Sequence, residues 1–226
     1  MILLNFIQLL LLALWTLFTV YIIGTFATKN GAFKFTIKVW STGIAWILLT
    51  KIKVEGRENL DPNTHYIFMA NHSSYFDIAC LFKASQLKLH FIAKDELRTN
   101  PFTGYMLKKI DMIFINRSSA QKSTESMRKA ISFIKEGRNI AIFPEGTRSK
   151  TGAIGPFKRG GFKMAVNTNL AIVPVVITNS AVAWPVSNFN FRPTTVTVAF
   201  KPPIPTKDLT EKDIPHLIEQ VREYYV

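Results

Sequence analysis

The first 28 residues carry no charged side chain; Lys29 is the first. Within them an apolar core runs from Ile7 to Phe18 and continues through Val20, Tyr21, Ile22 and Ile23. A helix of that length is long enough to span a bilayer, and few water-soluble packing schemes can hide it. A cleaved secretory leader is the alternative reading. Such a leader has a basic start and a shorter core ending in small residues, whereas here no Lys or Arg precedes the core. The expectation is a retained membrane anchor. Lys29, Lys34, Lys38, Lys51 and Lys53 follow it, which places the downstream side in the cytoplasm if the helix spans.

A second apolar piece, residues 39–50, contains Trp40 and Trp46. It is too short to cross a membrane. It reads either as an interfacial helix with its tryptophans at head-group depth or as a core helix of the following domain. A hairpin of both pieces in one leaflet is a third geometry. The chain is therefore expected to divide at residue 54, with membrane-anchoring helices over 1–54 and a second domain over 55–226.

From about residue 52 short apolar runs alternate with amphipathic segments. Strands are predicted at 65–70, 89–93, 111–115, 139–143, 171–177 and 194–200. Helices are predicted at 75–86, 101–109, 120–136, 160–168 and 212–224. Gly137 follows the third of these helices as a C-terminal cap, and Thr210 precedes the last as an N-terminal one. Alternation of this kind predicts an α/β domain, with helices on both faces of a mostly parallel central sheet.

Charge narrows the partners. The chain has 28 basic and 15 acidic side chains, a net charge of +13. Residues 1–54 hold five lysines and no acid, and the stretch from 200 onward is close to balanced. The excess thus sits beside the apolar segment and through the middle of the chain. It fits an anionic membrane surface or phosphorylated substrates. No recognisable nucleic-acid module accompanies it, so nucleic acid is not an expected partner. The single cysteine, Cys80, excludes an internal disulfide and a cysteine metal cluster.

The chemistry concentrates at strand ends. Asn71-His72-Ser73-Ser74-Tyr75-Phe76-Asp77 follows the apolar run 66–70. Five helical residues turn about 500°, so His72 and Asp77 cannot pair along one helix. They can pair if His72 lies on the loop before a helix and Asp77 in its first turns, with Ser73 and Ser74 as caps. A carboxylate would then fix the imidazole tautomer for general-base work. Arg117 follows the strand at 111–115. Phe143-Pro144-Glu145-Gly146-Thr147-Arg148-Ser149 follows the strand at 139–143. Lys158, Arg159 and Lys163 surround Gly160 and Gly161 at a helix start. Arginine forks suit phosphate oxygens, and helix starts favour anions. Gly155–Gly161 lacks the Gly-Lys-Ser/Thr ending of a phosphate loop. No Gly-x-Ser-x-Gly elbow and no His-Glu-x-x-His is present.

Four blocks in this order resemble the glycerolipid acyltransferases, and most closely the bacterial-type 1-acyl-sn-glycerol-3-phosphate acyltransferases. They are His72 with Asp77, Phe114-Ile115-Asn116-Arg117, Phe143–Ser149, and Ile172-Val173-Pro174-Val175-Val176. The resemblance covers roughly residues 50–205. It departs at Asn116, where many members carry an acid. It implies acyl transfer from acyl-CoA or acyl carrier protein to the sn-2 hydroxyl of lysophosphatidic acid, forming phosphatidic acid, with another lysophospholipid or glycerolipid acceptor as the alternative. His72 would be the base and Asp77 its orienting partner. Arg117, Glu145, Gly146, Thr147, Arg148 and Lys158 would form the acceptor side. It implies no metal and no cofactor. It implies a bacterial-type inner membrane location, with the active site facing the cytoplasm. Membrane binding carried by the apolar segment should survive high salt, because screening removes only the electrostatic part. The protein is therefore expected in the sedimented membrane fraction after a high-salt wash.

Overall fold

A computed structural model describes residues 2–100, 103–116 and 119–225. The first helix, α1 (Ile2–Phe26), rises roughly 37 Å at 1.5 Å per residue. It lies along the rest of the molecule. Near its start the Asn5 amide donates to Asn190 Oδ1, and Gln8 Nε2 donates to Ile47 O. Midway the Trp15 indole donates to Trp40 O, and near its end Gly24 O accepts from the Tyr105 hydroxyl. One stripe, with Gln8, Leu12, Thr19 and Ile23, is buried; much of the remaining surface is exposed and apolar.

The chain continues through α2 (Lys29–Phe35), a π-helical turn at Thr36–Trp40, and α3 (Ser41–Ile47). Thr28 Oγ1 caps α2 by accepting from Gly31 N. The two readings of residues 39–50 describe opposite faces of one segment. Ile44, Ala45 and Leu48 are buried in the core, whereas Trp46 is 77% exposed.

The sheet has seven strands: β1 (Lys51–Glu55), β2 (Ile67–Ala70), β3 (Leu89–Lys94), β4 (Ile113–Ile115), β5 (Asn139–Ile142), β6 (Ile172–Thr178) and β7 (Thr195–Phe200). Their order is β1-β7-β6-β2-β5-β3-β4. All neighbouring pairs are parallel except β6 with β7, which is antiparallel. The fold is thus the α/β class read from the alternation of apolar runs. β1 was not among the predicted strands, and the compositional division at 54 falls inside it. Its Lys-Ile-Lys-Val-Glu sequence is that of a charged edge strand, and only its pairing of Lys51 with Thr195 and Val54 with Val198 identifies it.

Side chains alternate across the sheet. Phe68 and Ala70 face a core shared with α4 (Asp77–Ser85) and with Leu12, Ile23, Ile44 and Leu48 of the N-terminal helices. Ile67 and Met69 face the other core, filled from α6 (Ala120–Lys135), α7 (Arg159–Thr168) and α9 (Ile214–Arg222). The short α5 (Gly104–Lys109) and α8 (Ser180–Ala183) sit on connections. Gly137, at φ +76°, ends α6, with Gly137 N donating to Ile134 O and Arg138 N to Phe133 O. This is the glycine-terminated double hydrogen bond expected of it. Thr210, in contrast, does not cap α9. Asp213 occupies the cap position, and its Oδ2 accepts from both Thr210 N and Thr210 Oγ1. The proline near the helix start sets that boundary three residues later than the threonine indicated. Cys80 is fully buried on α4, and burial pushes its thiol well above the usual range, as an inert core thiol requires.

His90 on β3 is buried edge-on between Phe33 and Phe133, and its Nδ1 donates to Asp111 O at 3.0 Å. Burial lowers its pKa, opposed by the Asp111 hydrogen bond and assisted by Arg138. The unfolded chain therefore binds the proton more readily below about pH 6.5, and stability rises with pH through that window. It is complete above the unfolded value and declines as the solution is acidified. Thermal unfolding at about pH 7.5 and about pH 5.5 should show a lower midpoint in acid. His90→Phe should remove part of that difference.

Candidate active site

Strands β2, β4 and β5 run in the same direction, so the segments that follow them emerge at one edge of the sheet. Crevices beyond the carboxyl ends of such strands are where α/β folds place ligands. His72 comes just after β2, the 143–149 segment after β5, and Asn116 after β4. Arg117 lies outside the described residues. Asn116 donates from its amide to Asp95 Oδ2 at 3.1 Å.

The departure from β2 is held by Asn71. Its amide donates to Ile177 O at 2.9 Å and its Oδ1 accepts from Ile177 N at 2.7 Å. The side chain thus imitates a peptide group and extends the β2–β6 ladder past the strand end. Asp77 opens α4 and is fully buried. Its Oδ2 accepts from Ser73 N at 2.8 Å, Ser74 N at 2.9 Å and His72 Nδ1 at 2.8 Å. With two backbone donors already on that oxygen, the imidazole Nδ1 is the third donor, which leaves the lone pair on Nε2. Oδ1 is buried without a hydrogen-bond partner among the described residues. The serines act differently from the caps expected of them. Ser74 Oγ accepts from Phe76 N and donates to Trp184 O, while Ser73 Oγ pairs with Ser180 Oγ. The cap position itself is Phe76.

Glu145, Gly146, Thr147 and Arg148 lie immediately beside this pair. Glu145 is buried and its two oxygens divide between two loops. Oε1 accepts from His72 N at 2.8 Å and Oε2 from Gly155 N at 2.9 Å. Among the described residues its carboxylate therefore faces backbone N–H groups and not an arginine. Ser149 N donates to His72 O at 2.7 Å. Both backbone polar groups of His72 are thus bonded to the 143–149 segment, and its ring stacks on Phe143 with centroids 3.8 Å apart. Gly146 sits at φ +73°, and a Cβ there would come within 2.7 Å of Lys158 Nζ. Only glycine both accepts that backbone angle and leaves room for the lysine. Lys158 is exposed and tied by its N–H to Pro144 O at 2.8 Å. Thr147 is exposed. Arg148 lies over the Tyr75 ring, its guanidinium carbon 3.9 Å from the centroid, a cation–π contact. Lys163 turns away to pair with Glu211 at 2.7 Å.

Two supports come from the C-terminal end of the chain and have no sequence motif. Arg222 donates to Gly155 O and Ile154 O, fixing the loop that Glu145 also holds. The Tyr225 hydroxyl donates to Met69 O and accepts from Val175 N at 3.3 Å. Burial, with the Glu145 charge adding to it, pushes that phenol far above its usual range, so it stays a donor. The spacing of apolar residues in α9 predicts packing, and Leu217 and Val221 are buried. It says nothing about where polar tips end.

An imidazole oriented by a buried carboxylate, next to a guanidinium on a neighbouring loop, can take a proton from a hydroxyl and hold an anion beside it. On an α/β sheet this is the layout of a group-transfer enzyme. The chain belongs to the acyltransferase family, whose model matches residues 51–178. It is 36% identical over 184 residues to a 1-acyl-sn-glycerol-3-phosphate acyltransferase of Cocos nucifera, covering 81% of this chain and 59% of that protein. It is 36% identical over 144 residues to the Borreliella burgdorferi protein of the same name, covering 64% and 55%. This chain therefore spans less than two thirds of the length of these two curated relatives. The crystal structure of the 1-acyl-sn-glycerophosphate (LPA) acyltransferase PlsC from Thermotoga maritima matches with a TM-score of 0.72 at 26% identity, over 97% of both chains.

Because Glu145 accepts two backbone N–H bonds from inside the protein, Glu145→Gln should be costly. The amide keeps one acceptor and points donors at a donor. A loss of about 1–3 kcal/mol in unfolding free energy is expected, with a fall in turnover as the His72 loop loosens. Thermal unfolding beside steady-state kinetics measures both.

Proposed function

We propose that this protein moves a fatty acyl group from a thioester donor, acyl-CoA or acyl carrier protein, to the sn-2 hydroxyl of 1-acylglycerol 3-phosphate, forming phosphatidic acid. The observation that carries the reading is the His72–Asp77 hydrogen bond, 2.8 Å long, adjoining the Arg148 loop. The names of the relatives support the choice of acceptor.

In this reading the acceptor hydroxyl donates its proton to His72 Nε2 as its oxygen attacks the thioester carbonyl. Asp77 holds the ring and balances the imidazolium that forms. The tetrahedral intermediate collapses with loss of the thiolate, which takes up the proton from His72. The acceptor is itself the nucleophile, so no acyl-enzyme forms. Arg148, with Arg117 and Lys158, holds the acceptor phosphate. Gly146 and Thr147 shape the turn beneath it, and Glu145 serves by fixing that turn to His72.

The protein works at an anionic bilayer surface on the cytoplasmic face of a bacterial-type inner membrane. Hydrogen bonds tie α1 to the domain near both of its ends, which favours a helix lying in one leaflet over one that leaves the domain to cross. The helices of residues 1–50 are then the anchoring part and the sheet domain that begins with β1 the catalytic one, so the division falls before β1 and not at 54; the two pack against each other through a shared core.

The test is acyl transfer from labelled acyl-CoA and from acyl carrier protein to lysophosphatidate in detergent micelles, with a panel of other lysophospholipids. His72→Ala should lower kcat by about 10²–10⁴-fold, the usual contribution of a general base. Arg148→Ala should raise the KM for lysophosphatidate by about 10–100-fold, the worth of a hydrogen bond to a charged group. Retained activity in His72→Ala, or a better acceptor than lysophosphatidate in the panel, would overturn the corresponding assignment.

A further inference from the structure

Beyond its contact with Arg148, Tyr75 begins a run of aromatic contacts. Tyr75 meets Trp184 with centroids 5.6 Å apart. Trp184 meets Phe191 edge-on at 5.7 Å, and Phe191 meets Phe189 at 6.4 Å. Phe189 is exposed, and there the row reaches a cleft of about 490 Å³ between residues 189–190 and the first turns of α1. Ile2, Asn5, Phe6, Leu9, Phe189 and Asn190 line it. The hydrogen bond from Asn5 to Asn190, 3.3 Å long, joins its two sides. None of these residues belongs to the His72–Asp77 pair or to the phosphate side.

We propose that this cleft receives the acyl chain that the acceptor lysolipid already carries, and that the aromatic row leads from it to His72 and Arg148. The inference rests on the lysophospholipid reading of the acceptor. A lysolipid has one apolar chain and one anionic phosphate, separated by a short polar backbone. Among the described residues the protein presents an apolar cleft and Arg148 at the two ends of a row of ring contacts, in which Phe191 is buried and Tyr75, Trp184 and Phe189 are at least partly open. Four of the six lining side chains are hydrocarbon, and the volume falls in the range of roughly 300–1,000 Å³ usual for small-molecule sites. The cleft opens at the tip of the exposed apolar helix α1, so it lies where a membrane would deliver a lipid sideways and not through water. The chain on the donor thioester is the rival occupant. It has no anionic phosphate a glycerol's length from its reacting carbon to engage Arg148.

The experiment compares kcat/KM for 1-palmitoyl and 1-hexanoyl lysophosphatidate in mixed micelles, using the full chain. Wild type is set beside Phe6→Ser and Phe189→Ser, both at exposed cleft positions. Leu17→Ser, exposed on α1 outside the cleft lining, controls for weakened membrane binding, which vesicle sedimentation measures separately. In wild type the palmitoyl acceptor should be preferred. In each cleft variant that preference should fall about tenfold or more, the worth of one buried aromatic side chain, while Leu17→Ser keeps the wild-type ratio. An unchanged ratio in Phe6→Ser and Phe189→Ser would overturn the cleft assignment while leaving the acceptor reading intact. So would a change in donor-chain preference without a change in acceptor-chain preference. Wild type transferring to neither lysophosphatidate would overturn the acceptor reading and the cleft with it.

Discussion

The immobilisation of His72 is the constraint on which the rest of the site depends. Its N–H is held by Glu145, its C=O by Ser149 N, its Nδ1 by Asp77, and its ring face by Phe143. Each of those partners is held in turn. Glu145 also grips Gly155, whose carbonyl is fixed by Arg222. Asp77 gathers the two N–H groups that precede its own helix. A side chain held in this way need not reorient when it meets a partner, and correct orientation is a large part of what an enzyme contributes. Asp77 Oδ1, without a hydrogen-bond partner among the described residues, is a local cost of burying a carboxylate against the imidazole, and departures from complete hydrogen bonding tend to collect at sites of this kind.

The same arrangement explains why the apolar N-terminal segment is more than a tether. Leu12, Ile23, Ile44 and Leu48 share one core with Phe68 of β2 and with α4, the two elements that end or begin beside His72. α1 therefore shares the packing that places the site, and it leaves an apolar face exposed. Trp46 and the outward side chains of α1 stay uncovered, at a cost in water that a membrane would remove. One stripe of the helix is thus part of the protein core while the other stays apolar and exposed.

Much of the site was legible in the amino-acid order. His72 and Asp77 at a five-residue separation cannot meet on one helix, so a loop-to-helix pairing was the available geometry, and it is the one formed. Gly146 and Gly137 stand where positive φ is needed. Other features were out of reach. Glu145 carries the same carboxylate whether it meets an arginine, a substrate hydroxyl or a peptide N–H, and it meets two peptide N–H groups. β1 was hidden because an edge strand buries too little to need an apolar run. Thr210 and Asp213 are both good cap residues, and the proline that follows decides between them.

By itself the sequence determined the α/β class, the strand-end location of His72 and the 143–149 segment, and the presence of one long apolar helix. These follow from local periodicity, backbone preference and hydrophobicity, which are properties of short stretches of chain. Tertiary structure alone decided that α1 shares a core with the domain, that Arg148 rests on Tyr75, that Arg222 braces a loop 67 residues away, and that Tyr225 bonds to strand β2, 156 residues away. Polar tips and ring faces choose partners by distance in space, and the chain brings those partners together only once the sheet has set its strand order.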